Sequence, residues 1–148
     1  MQTSARTPLY VPDTSIDVAG LNAQYAQMSS PDILHHTITQ AFDGRICTVS
    51  SFGAESVILL HMISQVDPSV PVIFLNTGKL FGETLRYRDR LQERLGLMDI
   101  RSLAPHPSDL LAKDPKGGLW QRDLDGCCDI RKVLPQARAV TGFDALIT

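Results

Sequence analysis

From Ile46 onward, short apolar runs alternate with longer stretches in which apolar residues recur every three or four positions. Ile46-Cys47-Thr48-Val49 and Pro71-Val72-Ile73-Phe74-Leu75 are short and almost continuously apolar, the pattern of strands covered on both faces. Between them Ser50 to Ala54 is small and polar, and Glu55 to Gln65 is an apolar-rich helix. Asn76-Thr77-Gly78 breaks the second strand. A further helix is predicted over about Gly82 to Leu95, with Tyr87, Leu91 and Leu95 stacked and Gly96 closing it. A weaker strand follows at Ile100 to Leu103, then a short helix from Ser108, a helix around Gln136 to Val140 and a last apolar stretch, Ala145-Leu146-Ile147. Strand and helix thus alternate with crossovers long enough for parallel pairing, which predicts an α/β fold: a parallel sheet with right-handed connections and helices on both faces.

Upstream, a polar arm rich in Thr, Ser and Pro leads to Val18, Leu21, Tyr25 and Met28 at helical spacing, with Thr14 or Ser15 as the cap. Ser30-Pro31-Asp32 has the form of an N-cap, a first-turn proline and a first-turn acid, followed by Leu34, Ile38, Ala41 and Phe42 on one face and Gly44 as a left-handed stop. The chain divides into residues 1–30, an arm with a first helix, and residues 31–148, the α/β domain. It stops in what reads as a strand, with no turn after Thr148, as though cut within a domain.

Composition narrows the class. The chain has 148 residues, 43% hydrophobic and 20% charged, with a net charge of −2, enough for one globular core. That balance offers no broad cationic surface for nucleic acid. Met1 to Tyr10 has no apolar core of a secretory signal, and no apolar run approaches the roughly 20 residues of a membrane span. Three cysteines without regular spacing are a poor disulfide framework and point to a reducing, cytoplasmic setting.

Val49-Ser50-Ser51-Phe52-Gly53-Ala54-Glu55-Ser56 is a strand–loop–helix junction loaded with hydroxyls. Gly53 is expected to take positive φ, and the helix from Glu55 to aim free N–H groups and its positive dipole end into the loop. Such a junction suits an anion, although a plain βα turn capped by serines fits as well. It has neither a Walker motif nor G-x-G-x-x-G. Leu75-Asn76-Thr77-Gly78 ends the neighbouring strand, and together the two polar loops describe a nucleotide cleft.

Gly126-Cys127-Cys128-Asp129-Ile130-Arg131-Lys132 sets two adjacent cysteines among charged residues. Adjacent cysteines rarely bridge each other. Beside Arg131 and Lys132 they suit a soft metal centre, or they are two helix cysteines, one buried and one at the surface. Cys47, in the buried strand, reads as core packing. His35 and His36 read as residues of an exposed helix edge, His61 as structural and His106 as a loop residue. Arg86, Arg88, Arg90 and Arg94 interleave with Asp89 and Glu93 as a solvated, ion-paired face.

Three motifs in order, Ser50 to Glu55, Leu75 to Thr84 and Cys127 to Pro135, resemble the assimilatory adenylyl-sulfate/phosphoadenylyl-sulfate reductases, which have a PP-loop ATP-pyrophosphatase-like fold. The likeness runs from about Ile33 to Thr148. It implies an oxidoreductase that reduces adenylyl-sulfate, or phosphoadenylyl-sulfate, to sulfite and a nucleotide with thioredoxin or glutaredoxin as electron donor. Carried over by position, Ser50 to Glu55, with Ser56 beside them, hold the phosphate–sulfate end, and Leu75 to Gly78 meet the adenosine. Cys127 and Cys128 become the first two ligands of a [4Fe–4S] cluster, a pair that goes with the branch preferring adenylyl-sulfate. Lys132 matches a lysine between cluster and substrate, where a cation steadies both, and Arg131 adds to the offset of negative charge.

Family features also missing from these 148 residues are an arginine-rich segment, a second Cys-x-x-Cys and a C-terminal Glu-Cys-Gly-Leu-His nucleophile. A [4Fe–4S] cluster takes four thiolates, so the expectation is a chain without turnover or a stable cluster of its own. The rivals are a PP-loop ATP pyrophosphatase or adenylyl-transferase, whose usual Ser-Gly-Gly-x-Asp-Ser loop differs from this one, and a degenerate nucleotide-binding module. Oligomeric state is left open.

Overall fold

The computed structural model describes residues 15–148. Its strands are β1 (Ile46–Val49), β2 (Val72–Leu75), β3 (Ile100–Leu103) and β4 (Ala145–Ile147), all parallel, in the order β3-β2-β1-β4. The chain steps outward from β1 to β2 to β3 through α3 (Ala54–Val66) and α4 (Gly82–Leu95). It then returns to the far side of β1, where Ile46, Cys47 and Thr48 pair with Ala145, Leu146 and Ile147. The direction of winding therefore reverses between β1 and β4, and the carboxyl ends of strands at such a reversal are where open α/β sheets place their ligands.

Alternation along the strands distributes the core. Ile46 joins Leu34, Ile38, Phe42 and Ile63 in one cluster, while Val72 and Phe74 join Phe52, Leu60, Leu91 and Leu97 in a second. Both lie under α2 (Ser30–His36), α3 and α4. Side chains one residue along, such as Cys47 and Ile73, turn to the other face, and α7 (Leu134–Val140) packs there on β2 and β3. The sheet thus has helices on both faces.

Strands β1, β3 and β4 and helix α4 fall where periodicity puts them, and β2 begins one residue later. The local caps differ. The first helix, α1 (Val18–Tyr25), is capped by Asp17, whose carboxylate accepts from the Gly20 amide, and not by Ser15; Thr14 lies outside the described residues. Met28 falls beyond its end. Ser29, one residue before the expected Ser30, caps α2 through the Asp32 amide. His36 is half-buried, bonded through Nδ1 to Tyr25 and through Nε2 to Gln24. His106 caps α5 (Pro107–Lys113) by accepting from the Ser108 amide. On α4 only part of the arginine ladder is solvated: Arg88 lies over the Phe74 ring, 5.1 Å from its centroid.

From Leu124 to Val140 the backbone is one helical run: α6 (Leu124–Cys128), a π turn (Asp129–Val133) and α7. Pro135 explains the wide turn. It has no N–H to give the Arg131 carbonyl four residues back, and its ring would press on that carbonyl in a regular α-helix.

Candidate functional site

Ser50 and Ser51 leave the end of β1 with the same turn that Asn76 and Thr77 make at the end of β2. The Ser50 hydroxyl accepts from the Phe52 amide at 3.1 Å and the Ser51 hydroxyl from the Gly53 amide at 3.4 Å. Asn76 Oδ1 accepts from the Gly78 amide at 3.2 Å, and Thr77 Oγ1 from the Lys79 amide at 3.2 Å. In both turns the third residue has positive φ, 57° at Phe52 and 72° at Gly78. Gly53 does not have it: at φ −70° and ψ 168° it is extended and serves as the N-cap of α3. The expectation of a left-handed glycine at 53 is therefore wrong by one residue. The strained position belongs to a buried phenylalanine held against Phe74.

Hydroxyls used this way keep their own protons. Each accepts a backbone amide and can still donate outward. Helices α3 and α4 open immediately after these turns, and neither has a side-chain cap, whereas α1, α2, α5 and α6 do. The first-turn amides of α3 thus lack the usual side-chain acceptor, the condition under which a helix start takes an anion. Beside this start, at the reversal between β1 and β4, lies a cavity of about 280 Å³ lined by Thr48, Val49, Ser50, Glu55, Ser56 and Thr148. Glu55 brings acceptors only, so the donors for an anion are the hydroxyls and amides.

The cavity gathers Ser50, Glu55 and Ser56 of the first loop; Phe52 is buried, Ser51, Gly53 and Ala54 are exposed, and none of these four lines it. Leu75, Asn76, Thr77 and Gly78 do not line it. They face a different neighbour. Arg131 Nη1 donates to the Thr77 carbonyl at 2.6 Å, and Nη2 donates to Asp114 Oδ2 at 2.7 Å. Asp114 Oδ1 in turn accepts from the Leu119 amide at 2.9 Å. The arginine side chain is 8% exposed and the aspartate wholly buried. The guanidinium hydrogen bond holds the Asp114 carboxyl below its ordinary pKa. Lys79 adds a second tie by donating to the Gly117 carbonyl at 2.8 Å.

Arg131 is thus paired with Asp114 and bonded to the Thr77 carbonyl, so its charge is already matched within the protein. Sequence reasoning missed Asp114 altogether. The one available signal was Pro135, whose π turn brings the adjacent Ile130 and Arg131 both inside.

Cys127 is buried and Cys128 exposed, consecutive on α6, with Lys132 exposed on the π turn. Cys47 is fully buried in β1, and burial pushes its thiol up to about 11. A cluster requiring four thiolates would find two here, one buried and one exposed. Among the described residues no group of three or more His, Cys, Asp or Glu is arranged to hold a metal. Nor is any helix among them long and apolar enough to cross a membrane.

The sequence profile of the phosphoadenosine phosphosulfate reductase domain matches residues 45–148. An adenosine 5'-phosphosulfate reductase from Mesorhizobium japonicum is 47% identical over 130 residues, 88% of this chain and 51% of that protein. One from Chelativorans sp. is 45% identical over 137 residues, 92% of this chain and 56% of that protein. The chain spans about half the length of these curated relatives. The crystal structure of a phosphoadenylyl-sulfate reductase from Candida auris, in complex with phosphate, superposes with a TM-score of 0.72, covering 86% of this chain and 64% of that one at 22% identity.

Proposed function

Since the chain belongs to the phosphoadenosine phosphosulfate reductase domain family, we propose that it forms the nucleotide-binding part of an adenylyl-sulfate reductase of sulfate assimilation. The uncapped start of α3, set beside the cavity at the β1/β4 reversal, carries this reading. The Ser50 and Ser51 hydroxyls, Ser56 and the first-turn amides receive the phosphate–sulfate end, and Leu75 to Gly78 take the adenosine. Both loops are preorganised by their own side-chain-to-backbone hydrogen bonds, so little ordering remains to be done when the ligand arrives.

In the whole enzyme a cysteine thiolate outside these 148 residues attacks the sulfur of adenylyl-sulfate. The S–O bond to AMP breaks and an enzyme thiosulfonate forms. A thioredoxin- or glutaredoxin-type dithiol then releases sulfite, its two thiols becoming a disulfide and supplying the two electrons. Cys127 and Cys128 hold half of a [4Fe–4S] cluster whose other ligands come from outside these residues; when bound, the cluster supplies an anionic, redox-capable centre. Lys132, exposed next to the pair, is the cation that steadies the sulfate. A cytoplasmic location belongs to the same proposal.

Calorimetry of the 148-residue chain with adenylyl-sulfate and AMP tests the reading. Adenylyl-sulfate should bind more tightly than AMP, and Ser51→Ala should weaken it about tenfold, the worth of one charge-assisted hydrogen bond. Failure of the wild-type chain to bind either nucleotide overturns it. Pyrophosphate release from ATP with Mg²⁺ would favour an ATP pyrophosphatase instead.

A further inference from the structure

Buried ion pairs seldom raise stability over well-packed apolar side chains of the same size, because both charges lose their water. The Arg131–Asp114 pair is such a case, and Arg131 Nε is also buried without a partner. What this arrangement does provide is geometry. A planar guanidinium fixes two directions at once, one to Asp114 and one to the Thr77 carbonyl. Asp114 is itself fixed by the Leu119 amide. A Cβ on Gly78 would lie 3.4 Å from Arg131 Nη1, so the loop backbone rests against the guanidinium.

We propose that Arg131, oriented by Asp114, is a positioning residue for the Asn76–Gly78 turn and thereby sets affinity for the nucleotide. It touches no ligand itself. It holds the Thr77 carbonyl so that the amides of Gly78 and Lys79 stay on Asn76 Oδ1 and Thr77 Oγ1. Arg131 also belongs to the helical run that carries Cys127 and Cys128, so it ties the nucleotide loop to the cysteine helix. The nucleotide half of this inference rests on the proposed function; the loop half does not.

The test compares the wild-type 148-residue chain with Arg131→Lys and with the apolar pair Arg131→Met/Asp114→Leu. Thermal melting establishes that each variant folds. Amide hydrogen exchange then reads the turn without ligand, and calorimetry reads AMP and adenylyl-sulfate binding. Exchange at Gly78 and Lys79 should rise at least tenfold in the apolar pair, with Phe52 and Gly53 unchanged. Affinity should fall about tenfold or more, and Arg131→Lys, which keeps the charge but loses the fork, should fall between. A folded apolar-pair variant with wild-type exchange at Gly78 and Lys79 overturns the positioning role. A variant with faster exchange but unaltered affinity overturns the link to the nucleotide. If the wild-type chain binds no nucleotide at all, the proposed function fails together with that link, and faster exchange in the variant still supports the loop half.

Discussion

The ring of Phe52 stands edge-on to the ring of Phe74, with centroids 5.5 Å apart and planes at 82°. That contact holds Phe52 at φ 57°, a conformation bulky residues otherwise avoid. The loop at the end of β1 takes its shape from aromatic packing on β2, and glycine freedom is not what makes it.

Phe52→Ala should therefore cost about 3–5 kcal/mol through the cavity left behind. Phe52→Gly should be about 0.5–1 kcal/mol more stable than Phe52→Ala, because only glycine escapes the left-handed penalty. That inverts the usual order of the two residues. Urea unfolding of both variants decides it, and an alanine variant more stable than the glycine one would show that the strain is not there.

Gly53 and Gly78 should behave differently. At Gly53 the backbone is open to any residue, and Gly53→Ala should cost no more than about 1 kcal/mol, the weakening of an N-cap. Gly78→Ala meets positive φ and the Arg131 guanidinium, and about 1–2 kcal/mol of conformational penalty applies there. Denaturant midpoints of the two variants measure the contrast.

Thiol chemistry should separate the three cysteines by burial. Cys128 is exposed and should alkylate first, Cys127 slowly. With its thiol pushed up to about 11, Cys47 holds only about one part in a thousand as thiolate at pH 8, and should stay unmodified by iodoacetamide until the chain is unfolded. Peptide mass mapping reads the order. The same shift makes the thiol's contribution to stability full below about pH 8.5 and lost as pH rises through about 11.

On the acid side the Asp114 carboxyl sets the trend. Its folded-state pKa lies below its unfolded value of about 3.9, so the ion pair's contribution is full above that value and disappears as pH falls through the folded one. Melting temperatures of wild type and Asp114→Asn should differ most near neutrality and draw together as pH falls below the unfolded-state value. A gap that stays constant with pH would exclude the carboxylate as its source.

The sequence revealed those parts of this fold that depend on local periodicity. The bounds of β1, α4, β3 and β4 follow from apolar spacing and from Gly96, whose left-handed φ closes α4. Neighbouring serines hid which of Ser29 and Ser30 caps α2, since that depends on one hydrogen bond to the Asp32 amide. Positive φ at Phe52 could not be read, because a partner more than twenty residues away imposes it. The cavity depends on Ile46 pairing with Ala145 across most of the chain, and no local pattern encodes that pairing. A charged residue beside Ile130 likewise reads as solvated until the π turn and Asp114 are seen.

The π turn at Asp129–Val133 is, in counting terms, one residue more than an α-helix needs. The wide turn absorbs that extra residue, so deleting one residue there would let the backbone re-pair as α-helix as far as Pro135 allows, while the segments on either side keep their faces. What the deletion would remove is the local bulge that carries Arg131 inward beside Ile130. A one-codon loss in this stretch would loosen the loop after β2 from the cysteine helix without touching a residue of either.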